Sequence, residues 1–261
     1  MITLDRACDL VRTGDVWVFR GSSGADRAIR GLTNAPVNHV GMAIVLDDLP
    51  PMMWHAELGR SLPDLWAGAH QRGVQLHDLR DAVLQWGHRY GQRPWLRQLG
   101  GPLGPAHEDG ALRAVARLDG TPFPSTARLT GRWLRGRLPA LPGSAGPDPV
   151  GPTTAYCAEV VALTYEEMGL LPRDRRPDWY DPGRFWSGDD LRLAPGFALG
   201  GEIEVALPPP DGNAPPALEI GADRGPGGRF LRLIPPVLRR SRSRVPRARR
   251  RGAGASSRSR R

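Results

Sequence analysis

The stretch Thr153-Thr154-Ala155-Tyr156-Cys157-Ala158-Glu159-Val160-Val161-Ala162-Leu163 opens a helical pattern that continues to Leu170. Val160, Val161, Leu163, Met168, Leu170 and Leu171 supply an apolar side, and Glu159, Glu166 and Glu167 are expected to face water. Pro152 and the two threonines read as the start of this helix and Gly169 as its end. Cys157 then falls in the first turn. Unpaired backbone N–H groups and the positive end of the helix dipole favour a thiolate there. A cysteine buried as a small apolar residue is the competing reading, and histidines elsewhere in the chain have to decide between the two.

A cysteine nucleophile needs an imidazole to take its proton and a third polar group to orient that imidazole. Two apolar runs upstream, His39 to Leu46 and Met52 to Leu58, are separated by Asp47-Asp48 and Pro50-Pro51 and should pair as an antiparallel hairpin. His39 opens the first strand. His55 and Glu57 lie two apart on the second and so share a face. The hairpin can set His39 beside His55 or Glu57, with the Cys157 helix across the sheet. Each residue also has a plainer reading: a strand-end histidine, a satisfied core histidine, the solvent end of a strand. His70, His77, His88 and His107 stand in polar surroundings and read as surface residues. A zinc site from His39, His55 and Cys157 is compatible with ligand type, but no spacing calls for it, and neither metal nor cofactor is expected.

Three blocks in this order, GDVWVFRG (14–21), NHVGMAIVL (38–46) with MWHAELG (53–59), and AYCAEVVALTYEEMGLL (155–171), resemble the circularly permuted branch of the NlpC-type papain-like fold. That branch includes the YiiX/YaeF-like proteins and, more distantly, lecithin retinol acyltransferase. In papain-like proteins of the usual order the cysteine helix precedes the histidine strand; here His39 comes about 120 residues before Cys157. The similarity spans roughly residues 12–207. It implies Cys157 as nucleophile, His39 as general base and His55 as the third polar residue. YiiX-like members tend to carry a glutamate at that point, which keeps Glu57 as the other candidate orienter. It also implies an oxyanion hole built on the Cys157 backbone N–H. Tyr156, Asn38 and Trp54 flank these residues and are the candidate substrate-binding groups. The long Trp-, Arg-, Pro- and Gly-rich insertion between His55 and Cys157 and the arginine-rich end depart from the family pattern.

The remaining pattern predicts an α+β protein, an antiparallel sheet packed against the cysteine helix. Residues 3–12 read as a short amphipathic helix with Leu4, Ala7, Cys8 and Val11 on one side, which makes Cys8 a core residue. A strand is expected at 16–19, a helix at 23–32, a strand at 73–77, a helical turn at 78–85 capped by Asp78, a strand at 94–99 and a helix at 106–118. A Pro/Gly loop over 138–152 leads to the Cys157 helix. Residues 172–200 read as irregular chain anchored by Trp179, Tyr180, Phe185 and Trp186, and Ile203 to Leu207 as a last strand.

The formal net charge of +9 belongs to one end. Residues 239–261 hold 11 arginines and no acid, leaving 25 basic against 27 acidic groups, a net of −2, in the rest. The expected organisation is a domain over 1–207, a Pro/Gly-rich linker over 208–238 and a disordered arginine-rich tail over 239–261. Such a tail suits contact with an anionic membrane or nucleic acid through charge alone. Two cysteines, Cys8 and Cys157, form no disulfide framework and no CxxC zinc pattern. No secretory signal or membrane span is visible, so the expected place is the cytoplasm, with the tail allowing membrane-surface association. The function expected is a cysteine hydrolase or acyltransferase acting through an acyl-enzyme on an amide, ester or thioester. The resemblance implies peptidoglycan-type peptides or lipid acyl groups as substrate classes. The alternative is a non-catalytic binding protein of the same fold. Oligomeric state is not set by the sequence.

Overall fold

A computed structural model describes residues 1–22, 27, 30, 31, 35–57, 59–123, 156–189 and 191–210. All of them lie within one unit, Met1–Ala222. Most of the helix expected at 23–32, the loop at 138–152, and all but the first three residues of the 208–261 segment fall outside the described residues.

A seven-stranded, mostly antiparallel sheet carries the fold, with helices on both faces. Its members are β1 (Ile2–Thr3), β2 (Val16–Arg20), β3 (His39–Ile44), β4 (Met52–Glu57), β5 (Gly73–Asp78), β6 (Arg93–Arg97) and β9 (Ile203–Ala206), in the order β1-β9-β6-β2-β3-β4-β5. β7 (Leu99–Gly100) and β8 (Ala198–Leu199) form a separate two-stranded ladder. Among the described residues, only β1 and β9 run parallel. The hairpin read from the sequence is present, with Met42 opposite Trp54 and Ile44 opposite Met52. β5 extends it by pairing His55 with Gln75 and Met53 with His77.

Strand alternation sorts these residues between two cores. Val40, Met42, Ile44, Trp54, Ala56, Val74 and Leu76 point into one, closed by α3 (Pro105–Leu118) and α4 (Cys157–Glu167). Trp17, Phe19, Ala43, Met53 and Leu96 point into the other, beneath α1 (Leu4–Leu10) and α2 (Leu79–Leu84). Thr3 caps α1 and Asp78 caps α2 through their side-chain oxygens. A π-helical turn, Gln85–Arg89, continues α2.

α4 begins later than the sequence pattern suggests. Its N-cap is Tyr156, which makes no side-chain capping bond, so Cys157 is the first helical residue. The helix ends as expected: Gly169 takes φ +74 and Leu170 N–H reaches back to the Tyr165 carbonyl at 2.8 Å. Glu159, expected to face water, is 1% exposed. Every residue from Cys157 to Tyr165 is buried, because α4 lies between the sheet, α3 and the segment carrying Asp178, Tyr180 and Phe185. That segment folds as two short 3-10 turns, Pro177–Trp179 and Pro182–Phe185.

Candidate active site

The site lies where the start of β3 meets the first turn of α4. The ladder between β3 and β4 joins Met42–Ile44 to Met52–Trp54. Before it, the backbone N–H groups of Val40, Ala158 and Cys157 itself lie near the Cys157 sulfur and favour its ionised form. These are the free donors of a helix N-terminus joined by one from the strand. Cys157 is 6% exposed, and burial outweighs the amides: the thiol is pushed up to about 11. In this closed arrangement the group is a neutral thiol, not the thiolate that first-turn placement alone favours.

His39 precedes Val40 and turns to the opposite face of the sheet. Its ring stacks on the Trp86 indole at 3.6 Å between centroids and 10° between planes. The π turn at Gln85–Arg89 is what brings Trp86 over it, the kind of local widening often met at functional sites. His39 Nε2 lies 3.1 Å from His55 Nδ1, so the two histidines expected near one another are hydrogen-bonded. Gly41 makes this approach feasible: a Cβ there would sit 2.5 Å from Met53 Sδ and 3.3 Å from His55 Cβ.

The chain of rings continues further than the sequence suggested. His55 Nε2 lies 3.0 Å from His77 Nδ1, and His77 Nε2 lies 3.0 Å from Gln75 Oε1. With the amide oxygen accepting from His77 Nε2–H, each donor is fixed in turn. His55 Nε2–H donates to His77, and His39 Nε2–H donates to His55. His39 Nδ1 is then left with its lone pair. His77 is 1% exposed, which corrects its reading as a surface residue. Gln75 and His77 occupy alternate positions of the strand read at 73–77. What the sequence does not state is that β5 pairs with β4 and turns those two side chains under His55.

Burial holds all three rings neutral. It lowers His39 to about 3 and His77 to about 4, and it lowers His55 well below its ordinary value, with help from the two neighbouring histidines. Glu57 shares this pocket. One carboxylate oxygen accepts from the Tyr90 hydroxyl at 2.8 Å. The other, Oε2, has no hydrogen-bond partner and stands 3.9 Å from both His55 Nε2 and His77 Nδ1. Burial raises the Glu57 pKa against the Tyr90 hydroxyl and the nearby Trp86 indole, which favour the ionised form without the indole reaching hydrogen-bond geometry. Of the two candidate orienters, His55 therefore contacts His39, and Glu57 stands one residue further along the chain of rings.

The three candidate substrate-binding residues are engaged within the protein. Trp54 is fully buried, and its Nε1 donates to Thr164 Oγ1 at 2.9 Å, tying β4 to α4. Asn38 accepts from Gly21 N–H at 2.6 Å and donates to Gln92 at 3.3 Å. The Tyr156 hydroxyl donates to the Tyr180 carbonyl. Cys8 is half-buried beside α2, and burial raises its thiol to about 11. Among the described residues, no helix is long and apolar enough to cross a membrane.

No protein-family model matches this chain, and no curated protein matches it. Among solved structures it is similar to one titled metalloprotein yiiX from Escherichia coli O157:H7, with 18% identity and a TM-score of 0.38. The match covers 60% of this chain and 66% of that one, just under two thirds of its length. A likeness of that size carries no argument about the site. The α+β class, with its large, mostly antiparallel sheet, stands on the strand pairings themselves.

Proposed function

We propose that the protein is a cysteine hydrolase or acyltransferase of the permuted papain-like type, with Cys157 as nucleophile, His39 as general base and His55 as its orienting partner. The observation that carries this reading is the 3.1 Å His39–His55 contact, one residue from Val40, whose backbone N–H favours the ionised form of the Cys157 thiol. The donor order leaves a lone pair on His39 Nδ1, and this reading requires that nitrogen to reach the Cys157 thiol from the other face of the sheet and take its proton. The sulfur then attacks a carbonyl carbon of an amide, ester or thioester, and the oxyanion formed is met by amides at the start of α4, that of Cys157 first. His39 returns the proton to the leaving group, and water or an acceptor alcohol or amine releases the acyl group. Peptidoglycan-type peptides and lipid acyl groups are the substrate classes that the sequence resemblance suggests.

One observation favours the second reading, a binding protein of the same fold. Burial drives the thiol and the imidazole apart in pKa, so both are neutral here. Iodoacetamide labelling of Cys157 between pH 5 and 9, followed residue by residue by mass spectrometry, separates the two. The catalytic reading expects fast labelling near pH 6–7 that is lost in His39→Ala. Slow labelling that rises only in alkali, unchanged in His39→Ala, sinks it. The arginine-rich segment 239–261 belongs to the second reading: salt-sensitive binding to anionic vesicles or nucleic acid, removed by its deletion, would assign it that role.

A further inference from the structure

His55, Glu57 and His77 present three donor atoms to one another inside the protein. His55 Nε2 and His77 Nδ1 are 3.0 Å apart, and Glu57 Oε2 is 3.9 Å from each. A triangle with those sides has its equidistant point about 2.1 Å from every corner, the length of a zinc–nitrogen or zinc–carboxylate bond. Two imidazoles and one carboxylate are a donor set that zinc and other divalent first-row cations accept.

Two further observations separate this cluster from an ordinary buried polar network. Glu57 is 4% exposed, yet Oε2 has no hydrogen bond and is directed at the two ring nitrogens. A buried carboxylate oxygen left this way is costly unless something positive meets it. The outer partners that metal ligands require are also in place. His77 donates its other N–H to Gln75 Oε1, Tyr90 holds the second oxygen of Glu57, and His55 Nδ1 abuts His39 Nε2.

We propose that His55 Nε2, His77 Nδ1 and Glu57 Oε2 form a buried site for a divalent transition cation, zinc first, and that its occupancy withdraws His39 as a base. The second half rests on the function proposed above; the site itself does not. With Nε2 of His55 used as a ligand, the proton of that ring must sit on Nδ1 and donate to His39 Nε2. His39 then carries its own proton on Nδ1, the nitrogen not engaged with His55. Each of the three imidazoles keeps one proton, but the lone pair offered to the thiol is gone. The site and the base are therefore alternatives set by one tautomer.

The full chain with Cys8→Ser, to remove a competing thiol, is dialysed against cobalt(II) and then zinc. Metal content and visible absorption are read together. One cobalt per chain is expected, with ligand-field bands and no thiolate charge-transfer band, displaced by zinc. Glu57→Gln and His77→Gln should each weaken binding at least tenfold, while Cys157→Ser leaves it unchanged. No stoichiometric binding to the folded protein overturns the site. So does binding that survives both substitutions, or a thiolate band that Cys157→Ser abolishes. Iodoacetamide labelling of Cys157 then tests the coupling. Zinc should slow it at least tenfold in the parent and not in Glu57→Gln. If zinc binds as described and the labelling rate does not change, the coupling is wrong. If Cys157 is unreactive before any metal is added, the catalytic reading fails while the metal site stands.

Discussion

On one face of the sheet, Val40, Met42, Ile44, Trp54 and Ala56 meet α3 and α4 across an apolar core, where the Trp54–Thr164 bond ties β4 to α4. On the other, the same two strands send His39, His55 and Glu57 into a pocket that β5 completes with Gln75 and His77. The backbone pairing is shared, and alternate residues separate the two environments. The apolar face is organised by area removed from water. The polar face holds three buried imidazoles and a carboxylate whose hydrogen bonds only partly replace the water they lost, an arrangement that costs stability and is characteristic of sites. Cys157 belongs to the first face by packing, and its neighbour Val40 directly follows His39, which opens the second.

The widest separation of the two faces is expected from Trp54→Ala. The substitution removes a fully buried indole and the bond to Thr164, for a loss of about 3–5 kcal/mol. Urea unfolding with an unchanged slope measures it. Trp54→Phe should cost about 1 kcal/mol, since Thr164 keeps its bond to the Val160 carbonyl. A loss under 1 kcal/mol in Trp54→Ala would mean that the apolar face is not what holds α4 on the sheet.

His39→Ala tests the other face. The rate of Cys157 alkylation at pH 7 is expected to fall by about 100-fold, about 2.7 kcal/mol, with a smaller change in stability than Trp54→Ala produces. His55→Gln, which can still accept from His39 Nε2–H, should fall less than His55→Ala if orientation is the role of that residue. Equal losses in the two would deny it that role.

The hairpin and its two histidines were legible because the Asp/Pro turn fixes which strands pair and alternation fixes which side chains share a face. Its extension was not. The strand at 73–77 was visible, but nothing in its own residues names β4 as its neighbour, and a glutamine and a histidine beside Asp78 look like surface chain until the pairing buries them. Trp86 escaped for another reason: a helical pattern that stops at Gln85 does not foretell a π turn that adds a residue and swings the indole over His39. Glu159 shows the limit of periodicity itself. A helix enclosed on all sides still carries an amphipathic sequence, and which polar residue is covered depends on chain that returns from residues 177–185. The backbone N–H groups around Cys157 do favour the thiolate, and burial outweighs them.

That balance can be measured through stability in alkali. Burial raises Cys157 from 9.0 to about 11 in the folded chain. The unfolded state therefore loses this proton first. Stability from the group is intact below pH 9 and drains away as pH climbs to 11, by on the order of 2 kcal/mol. Cys8 shares that window, and Tyr156, Tyr165 and Tyr180, all raised by burial, begin to act just above its start. The comparison is thus Cys8→Ser against Cys8→Ser with Cys157→Ser. Guanidinium unfolding across pH 8.5–10.5 should fall less steeply in the second. Identical slopes would place the thiol with the polar face, ionised through His39 at neutral pH.

The smallest effect expected lies at the far end of α4. Gly169 adopts φ +74 and closes the helix, and nothing stands within 4 Å of where a Cβ would be built. Gly169→Ala therefore costs backbone conformation alone, about 1 kcal/mol. Because α4 ends there and Cys157 begins it, the substitution distinguishes a rigid helix from one whose ends act separately. A rigid α4 predicts a lower urea midpoint with the alkylation rate of Cys157 unchanged. A rate that shifts with the midpoint would show that the thiol responds to the seating of the whole helix, and its coupling to His39 would then depend on packing with the apolar face as well as on the Val40 amide.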